Sequence, residues 1–505
     1  MKIKGLKSQL PANMATNVAY FVISLLINLF MVPYYIRHLG VASYGLIPLV
    51  TSLTAYLGLV TMSINAAVSR YLVIDIQNQD HISANLVFNT AFFSLTMIAL
   101  ALAVIAGILA WYVPVIFNVP YNLAHGARCL FFLAVLSFLL GVISANFSVS
   151  CYAYNRLDIQ NYINMLVLGA RVLPVFVLFT FLGAKLQWVG VAIFFASLTS
   201  LALNIIGCRK LAPFLQINIK AFDLKKVMPL TRLSWWLTMN KVGALLFLST
   251  DIVIVNLIFG SVIAGKYGAV MQWPLLLRTF ASVFAGLFAP MILIISARGD
   301  IDKMIFLCVR AIKYLGLGMA LPIGLICGFR QPIVSLWLGA EFTEYSLLLV
   351  VMCFHLSINL AITPLFSVQT ASNNVKLPGI VTIIGGVGML LLAVILAKLS
   401  PLGVYGVPLA GAIMLTSKDV FFTTIYVAKI LDVSKLTFLK PLVGGIVGTM
   451  MVWAACEIVN IAMQPDSWVS LILFSVIISI AYFMVVYLKN ITQDEKQLIL
   501  SLVRP

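Results

Sequence analysis

Apolar runs long enough to cross a bilayer recur from one end of this chain to the other. A stretch of about 20 predominantly apolar residues reads as a transmembrane helix. By that rule there are fourteen, at 10–34, 44–68, 85–110, 128–150, 161–182, 188–208, 233–258, 268–294, 304–328, 345–368, 378–398, 405–428, 441–461 and 467–488. Composition closes off the alternative. With 62% hydrophobic and only 9% charged residues over 505 positions, the chain lacks the charged shell that a soluble core of this size requires. The fold class is therefore an all-α polytopic membrane protein. The longest connection on one side is 209–232 and the longest on the other lies around 329–344. Neither has room for an ATPase or glycosyltransferase domain, or for the large external loop of a membrane polymerase or ligase. Nothing in the chain suggests an enzyme, and no cofactor is expected.

The net charge of +17 invites a nucleic-acid reading, so the position of the charge matters. Of the 32 Lys and Arg, 20 fall in 1–10, 69–84, 151–160, 209–232, 296–303, 369–377, 429–440 and 489–505. The alternate loops hold six, namely Arg37, Arg128, Lys185, Lys266, Arg330 and Lys398. That asymmetry places both termini in the cytoplasm by the positive-inside rule. The basic balance reports topology, and no nucleic-acid partner is expected. The first apolar stretch is too long for a cleaved signal and reads as a retained helix. Seven scattered cysteines without a C-x-x-C pair read as free, buried thiols, and four scattered histidines point to no metal site.

The chain also repeats itself. "GVASYGLIPL" (40–49) returns as "SVIAGKYGAVMQ" (261–272), with Tyr44-Gly45 over Tyr267-Gly268. The same offset pairs Asn17 with Asn240, Asn28 with Asp251 and Ala66 with Ala289. At a slightly smaller shift, "YAYNRLDIQNY" (152–162) matches "TASNNVKLPGI" (370–380), with Asn155 over Asn373, and Gly190 falls over Gly406. An even number of helices separates the copies, so the repeat is parallel, with its axis along the membrane normal. The expected organisation is an N-lobe of helices 1–6 (1–208), a basic cytoplasmic linker (209–232), a C-lobe of helices 7–12 (233–428), and two additional helices with a tail (429–505). Lobes so related usually place a substrate path between them. On helix 1, Asn13, Asn17, Ser24 and Asn28 fall within about a 60° sector. Asn240 and Asp251 fall about 20° apart on a continuous helix 7. Cavity lining is the functional reading of this polar stripe, and interhelical hydrogen bonding is the alternative.

Six cations lie inside spans: Arg171, Lys241, Arg278, Arg310, Lys313 and Lys418. Asp251 and Asp419 oppose them, with Glu457 nearer a helix end. A charge at mid-bilayer costs about 2.5–3.5 kcal/mol even on the lenient scale, so such residues face a bundle interior or a watery cavity. Arg171 and Arg278 sit centrally in their spans. Lys241 can snorkel, Arg310 and Lys313 begin only a turn or two inside helix 9, and Lys418 and Asp419 point to adjacent faces without requiring a direct pair. Lys241 and Asp251 would lie about 15 Å apart on one helix, too far to neutralise each other. The surplus of cations is a field that favours an anion such as a pyrophosphate. Two motifs are set aside. "GSVIAGKY" (260–267) lacks the Ser or Thr that a phosphate-binding loop needs after its Lys and reads as a short external turn. "DID" (300–302) stands in a short loop without a nucleotide-binding domain.

"FMVPYYIRHLGVASYGLIPLVTSLTAYLGLV", the following "NAAVSRYL", "YNRLDIQNYI" and "TDIVIVNLIFGSVIAGKYG" together resemble the polysaccharide transporter (Wzx-type) flippases of the multidrug/oligosaccharidyl-lipid/polysaccharide (MOP) exporter superfamily. The resemblance covers roughly 8–440, and its specificity lies in the order and spacing of loose motifs. It implies a bacterial inner-membrane flippase that moves undecaprenyl-pyrophosphate-linked oligosaccharide to the outer leaflet for O-antigen, capsule or exopolysaccharide assembly. Its implied partners are that lipid-linked oligosaccharide, membrane lipids, a polysaccharide polymerase and a chain-length regulator. The residues expected to attract the headgroup are Arg171, Arg278, Lys241, Lys418, Arg310 and Lys313, with Asn17, Asn28 and Asn240. Asp251 and Asp419 are the expected coupling or gating carboxylates. A multidrug cation antiporter of the same superfamily and a lipid II flippase are the alternatives. Helix 1 has no carboxylate, which weighs against the first.

Overall fold

The computed structural model describes residues 6–223 and 227–489. The basic start at 1–5, linker residues 224–226 and the tail at 490–505 lie outside these, as do the side chains of 6–8, 10, 60, 62–67, 69–70, 227–237 and 489, Ala66 of the repeat among them. Every long element is a helix, because lipid offers no partner for a backbone N–H or C=O and the α-helix satisfies its own. Two compact units divide the chain, Met1–Gly268 and Ala269–Pro505.

The first unit runs α1 (Leu6–Leu39), α2 (Val41–Gln77), α3 (His81–Ile116), α4 (Ala124–Ala153), α5 (Leu157–Leu182), α6 (Leu186–Leu211), α7 (Val227–Ser249) and α8 (Asp251–Val270). Small side chains let the helices approach where hydrophobic driving force is absent. On α3, Ala84, Ala91 and Ala99 are wholly buried, with Phe88 and Leu95 filling the gaps between turns. The opposite face shows Met97, Leu100, Val104, Ile105 and Ile108. In water that face would be an aggregation hazard. In a bilayer it is the solvated one. α1 meets α5 through aromatic rings, Tyr34 lying edge-on to Phe176 at 4.6 Å between centroids.

The second unit runs α9 (Gln272–Arg298), α10 (Ile301–Gly328), α11 (Arg330–Leu338), α12 (Ser346–Cys353), α13 (Leu356–Asn359), α14 (Thr363–Ala371), α15 (Lys376–Leu399), α16 (Gly406–Ser417), a π-helical turn at Lys418–Thr423, α17 (Thr424–Ile430), α18 (Leu442–Met463) and α19 (Trp468–Lys489). The two additional helices are fixed rather than loosely appended. A Cβ on Gly445 of α18 would stand 3.0 Å from the backbone of Gly316 on α10. The Tyr482 hydroxyl of α19 donates to the Leu317 carbonyl at 2.7 Å.

Among the described residues, twelve helical stretches are long and apolar enough to span a membrane. One of them, Thr238–Arg298, has 61 residues, about three crossings' worth of chain, and holds two of the fourteen spans read from the sequence. The span at 405–428 is not among the twelve, and a π turn at Lys418–Thr423 interrupts its helix.

The repeat is legible in the hydrogen bonds. At the α4–α5 turn, Asn155 N–H donates to Tyr152 and Arg156 N–H to Cys151. At the α14–α15 turn, Asn373 donates to Thr370 and Asn374 to Gln369. Asn155 and Asn373 share the left-handed conformation, φ 53° and 54°, which Asn tolerates better than most residues. A second pair had no sequence signal strong enough to notice. Asp80 caps α3 by accepting from Ser83 N–H at 2.9 Å, and Asp300 caps α10 by accepting from Lys303 N–H at 3.1 Å. Asp300 of "DID" is thus a helix cap. Gly40 separates α1 from α2 at φ 80°, ψ 160°, and Gly260 kinks α8 at φ 83°, ψ 177°.

Several local expectations are corrected. "GSVIAGKY" is not an external turn: residues after Gly260 are helical, and Gly265 of this helix packs on the start of α2. There a Cβ on Gly265 would fall 2.1 Å from the Val41 carbonyl oxygen. The 329–344 loop contains α11 and a 3₁₀ segment, Ala340–Tyr345, and Arg330 pairs with Glu457. The span 345–368 is three short helices. Helix 7 is broken as well: α7 ends at Ser249, Thr250 bends, and α8 starts at Asp251. Two side chains of α2 hold that break, Ser52 donating to the Ser249 carbonyl and Tyr56 hydrogen-bonded to the Thr250 hydroxyl. Ser52 thus satisfies a backbone carbonyl at the break, and Tyr56 ties down the side chain of the bending residue.

Candidate binding site

In the first unit, one face each of α2, α4, α5 and α6 lines an open cavity of about 600 Å³. The helical period explains how four helices contribute. Thr51, Thr54, Gly58 and Thr61 recur every three or four residues on α2, as do Ala134, Ser137, Gly141 and Ala145 on α4 and Ile193, Ala196 and Ser200 on α6. From α5 come Val167 and Arg171, one turn apart. Small residues on three helices leave the space, and Arg171 supplies its charge. Among the described residues, no carboxylate lines the cavity or pairs with Arg171. Tyr35 of α1, itself buried, lies within electrostatic range of the guanidinium.

The second unit arranges its charges differently. Lys418 Nζ is 3.0 Å from Asp419 Oδ1, with only 10% and 2% of the two side chains exposed. The expectation that these neighbours need not pair is corrected. They meet at the π turn, where the long lysine stem folds back on the next residue. The Lys418 ammonium also lies 5.2 Å from the centre of the Phe366 ring, and Thr423 donates to Asp419 at 3.2 Å. Arg278 of α9 is within electrostatic range of Asp419, His355 and Cys353. The break between α12 and α14 packs here too, Asn359 donating to Thr416 at 3.3 Å. Arg278, Lys418 and Asp419 are therefore brought together.

The remaining expected site residues are not gathered with them. Lys241 is exposed and Asn240 half-buried on α7. Asn17 is exposed, and Asn28 donates to the Ser24 carbonyl one turn back at 2.8 Å. The buried member of the helix 1 stripe, Asn13, is interhelical glue: it donates to the Asn155 carbonyl at 2.9 Å and accepts from Asp158 N–H at 2.8 Å. Arg310 stacks on exposed Phe306, 4.0 Å from the ring centre, and Lys313 lies 5.4 Å from the Tyr314 ring. Asp251 accepts from the hydroxyl of fully buried Tyr267 at 3.0 Å. As the first residue of α8 it also sits where the helix dipole favours an anion. Both the Tyr267 hydrogen bond and that placement stabilise the carboxylate, for which Lys241 is not needed.

Sequence reasoning missed the Ser and Thr lining. Its signal was present as Thr51-Thr54-Thr61, Ser137 and Ser197-Ser200 at helical spacing, but hydroxyls are ordinary in membrane helices and the charges drew the eye. The cysteines are free, as expected, and all but Cys129 are buried.

No protein-family model matches the chain. It is 30% identical over 492 residues to an uncharacterised membrane protein, EpsK, of Bacillus subtilis (strain 168), covering 97% of each protein. Among solved structures it is similar to the lipid II flippase MurJ in an inward closed conformation, with a TM-score of 0.66 at 16% identity over 93% of this chain and 99% of that one. It is also similar to an inward-facing multidrug resistance MATE family transporter of the MOP superfamily, with a TM-score of 0.60 at 13% identity over 87% and 98%. The fold is thus that of the MOP transporters and flippases.

Proposed function

The chain belongs to the same family as the membrane protein EpsK, and from that premise we propose that it is a flippase. Its substrate is a polyprenyl-pyrophosphate-linked oligosaccharide, carried from the inner to the outer leaflet of a bacterial plasma membrane for polysaccharide assembly. The observation that carries this reading is Arg171, a cation without a carboxylate partner among the described residues, lining a cavity otherwise walled by hydroxyls, small residues and the apolar side chains of Val50, Phe138, Val142, Val167 and Ile193. Arg presents planar N–H groups that bind phosphate oxygens bidentately. A hydrogen bond to a charged group of this kind is worth about 1.5–3 kcal/mol. A cation antiporter would need the opposite charge there. Arg278 and Lys418 are secondary candidates for the headgroup, and Asp419 for coupling, since a proton on it would free Lys418 from its partner. The 20 cations in the loops on the side of the two termini, against six in the loops opposite, support cytoplasmic termini.

The test is leaflet transfer in proteoliposomes. A fluorescent polyprenyl-pyrophosphate oligosaccharide is loaded in one leaflet, and its arrival in the other is read by an impermeant quencher. Wild type should move it and Arg171→Ala should not. Equal movement by both would remove Arg171 from the mechanism. Failure to move this lipid, with efflux of an organic cation instead, would replace the flippase with an antiporter. Lipid II as a competitor separates the two lipid-linked substrate classes.

A further inference from the structure

We propose that the hydroxyl wall of the Arg171 cavity is a saccharide subsite, built to accept hydrogen bonds from the sugar next to the pyrophosphate. This rests on the headgroup reading above and divides that site in two.

The argument is where each hydroxyl spends its proton. Thr51 donates to the Ile47 carbonyl at 3.0 Å, Thr54 to Val50 at 2.9 Å, Ser137 to Leu133 at 2.7 Å and Ser197 to Ile193 at 3.1 Å. All four residues line the cavity. A hydroxyl has one proton and two lone pairs. Once the proton is returned to its own helix, only lone pairs remain to be offered. These four side chains, from α2, α4 and α6, therefore form an acceptor surface. They are not interhelical glue, because none of the four bonds crosses between helices. Glue in this unit looks different: Asn204 donates across to Ser144 at 3.1 Å, and the Ser144 and Ser200 hydroxyls are hydrogen-bonded between α4 and α6 at 3.1 Å.

An acceptor surface repels phosphate oxygens, which also only accept. It suits a ligand rich in O–H and N–H donors. Arg171 is the opposite, donating five N–H groups and accepting nothing. One cavity thus carries a donor-only cation on α5 and, set in a largely apolar lining on the other three helices, four hydroxyls with only acceptor capacity left. A glycosyl pyrophosphate has the complementary halves, an acceptor-only anion joined to a polyol. The volume of about 600 Å³ is in the range of small-molecule sites, enough for the anion and its adjoining sugars.

The experiment compares two probes bound to the full-length protein in nanodiscs: a bare polyprenyl pyrophosphate and the same lipid carrying a disaccharide. Thr54→Val, Ser137→Ala and Ser197→Ala each remove one acceptor. Each is expected to lower the preference for the glycosylated probe over the bare one by about fivefold, one hydrogen bond's worth. Arg171→Ala is expected to weaken both probes alike. Hydroxyl variants that weaken both probes equally, or that leave the preference unchanged, overturn the saccharide subsite while an Arg171 effect keeps the headgroup reading. Arg171→Ala binding both probes as wild type does overturns the headgroup reading itself.

Discussion

Arg171 and Lys418 are the same kind of residue by sequence, each a cation inside an apolar span, yet the two units treat them in opposite ways. In the first unit, small residues on α2, α4 and α6 open a cavity beside Arg171 and, among the described residues, give it no carboxylate. In the second, the π turn draws Lys418 onto Asp419 and buries both. A buried ion pair is held mainly by the cost of separating it, whereas a cation beside a hydroxyl-lined cavity remains available to a ligand. An intramembrane charge therefore marks a binding site only where the neighbouring helices leave room and withhold a partner.

The comparison is most easily broken at Asp419. Removing one member of a buried pair leaves the other uncompensated, at about 3–5 kcal/mol. Asp419→Asn should lower the unfolding temperature in detergent by far more than Arg171→Met, and Lys418→Met combined with Asp419→Asn should recover most of the loss. Equal destabilisation by Arg171→Met would show that Arg171 is as structurally committed as Lys418, and the contrast would fall.

Function should show the reverse ranking. Losing a charge-assisted phosphate contact of about 1.5–3 kcal/mol corresponds to a transport rate lower by about 10- to 150-fold. Arg171→Ala should fall in that range in the leaflet-transfer assay. Arg171→Lys should retain part of the activity, since it keeps the charge but not the bidentate fork. The double variant Lys418→Met, Asp419→Asn should transport better than Arg171→Ala. The opposite order would move the headgroup site to the second unit.

How far this contrast was legible in the sequence depends on the range of the interactions involved. The crossings were legible because lipid imposes one length and one polarity on every span. Arg171 was legible because a cation is costly at its depth. The repeat was legible at Asn155 and Asn373, whose side chains suit the turn they form. The break at Thr250 was not, because it is held by Ser52 and Tyr56, nearly 200 positions away in the chain, and α7 reads through it as uninterrupted apolar sequence. The pairing of Lys418 with Asp419 depends on a π turn that no periodicity announces. The hydroxyl wall was hidden for a third reason: each Ser or Thr alone is unremarkable, and only the packing of α2, α4 and α6 brings them to one cavity.

The repeated turns sharpen the comparison on a smaller scale. Asn155 and Asn373 share a positive φ, so replacement by Ala should cost about 1 kcal/mol or somewhat more at either place, and replacement by Gly should restore the backbone. Asn155 also donates to Gln9 at 3.2 Å, and its carbonyl accepts from Asn13. Asn155→Gly should therefore fall short of full recovery where Asn373→Gly reaches it. Unfolding of the four single variants in denaturant checks this. Full recovery at both would mean that the Asn155 side-chain bond to Gln9 adds nothing to the turn, since the carbonyl that accepts from Asn13 is kept in the Gly variant.

The smallest expected effect is at the capping aspartates, and it concerns pH. Asp80 and Asp300 occupy matching turns, but the residue three places on is Ser83 in the first unit and Lys303 in the second. The Lys303 ammonium, 2.6 Å from Asp300 Oδ2, holds that carboxyl below its ordinary pKa of 3.8, with help from the Lys303 backbone N–H. A folded-state pKa below the unfolded value means that the cap's contribution is fully present above pH 3.8. It is lost as the pH falls from there through the lowered folded value. Amide exchange at the first turn of α10, compared between wild type and Asp300→Asn, should show protection that differs above pH 4 and converges in acid. Lys303→Ser, which installs the first unit's residue in the second unit's turn, should move that convergence to higher pH, because the carboxyl then loses the neighbour that keeps it ionised. If convergence stays where it was, the backbone N–H alone sets the carboxyl's pKa and the two turns are equivalent despite their different third residue.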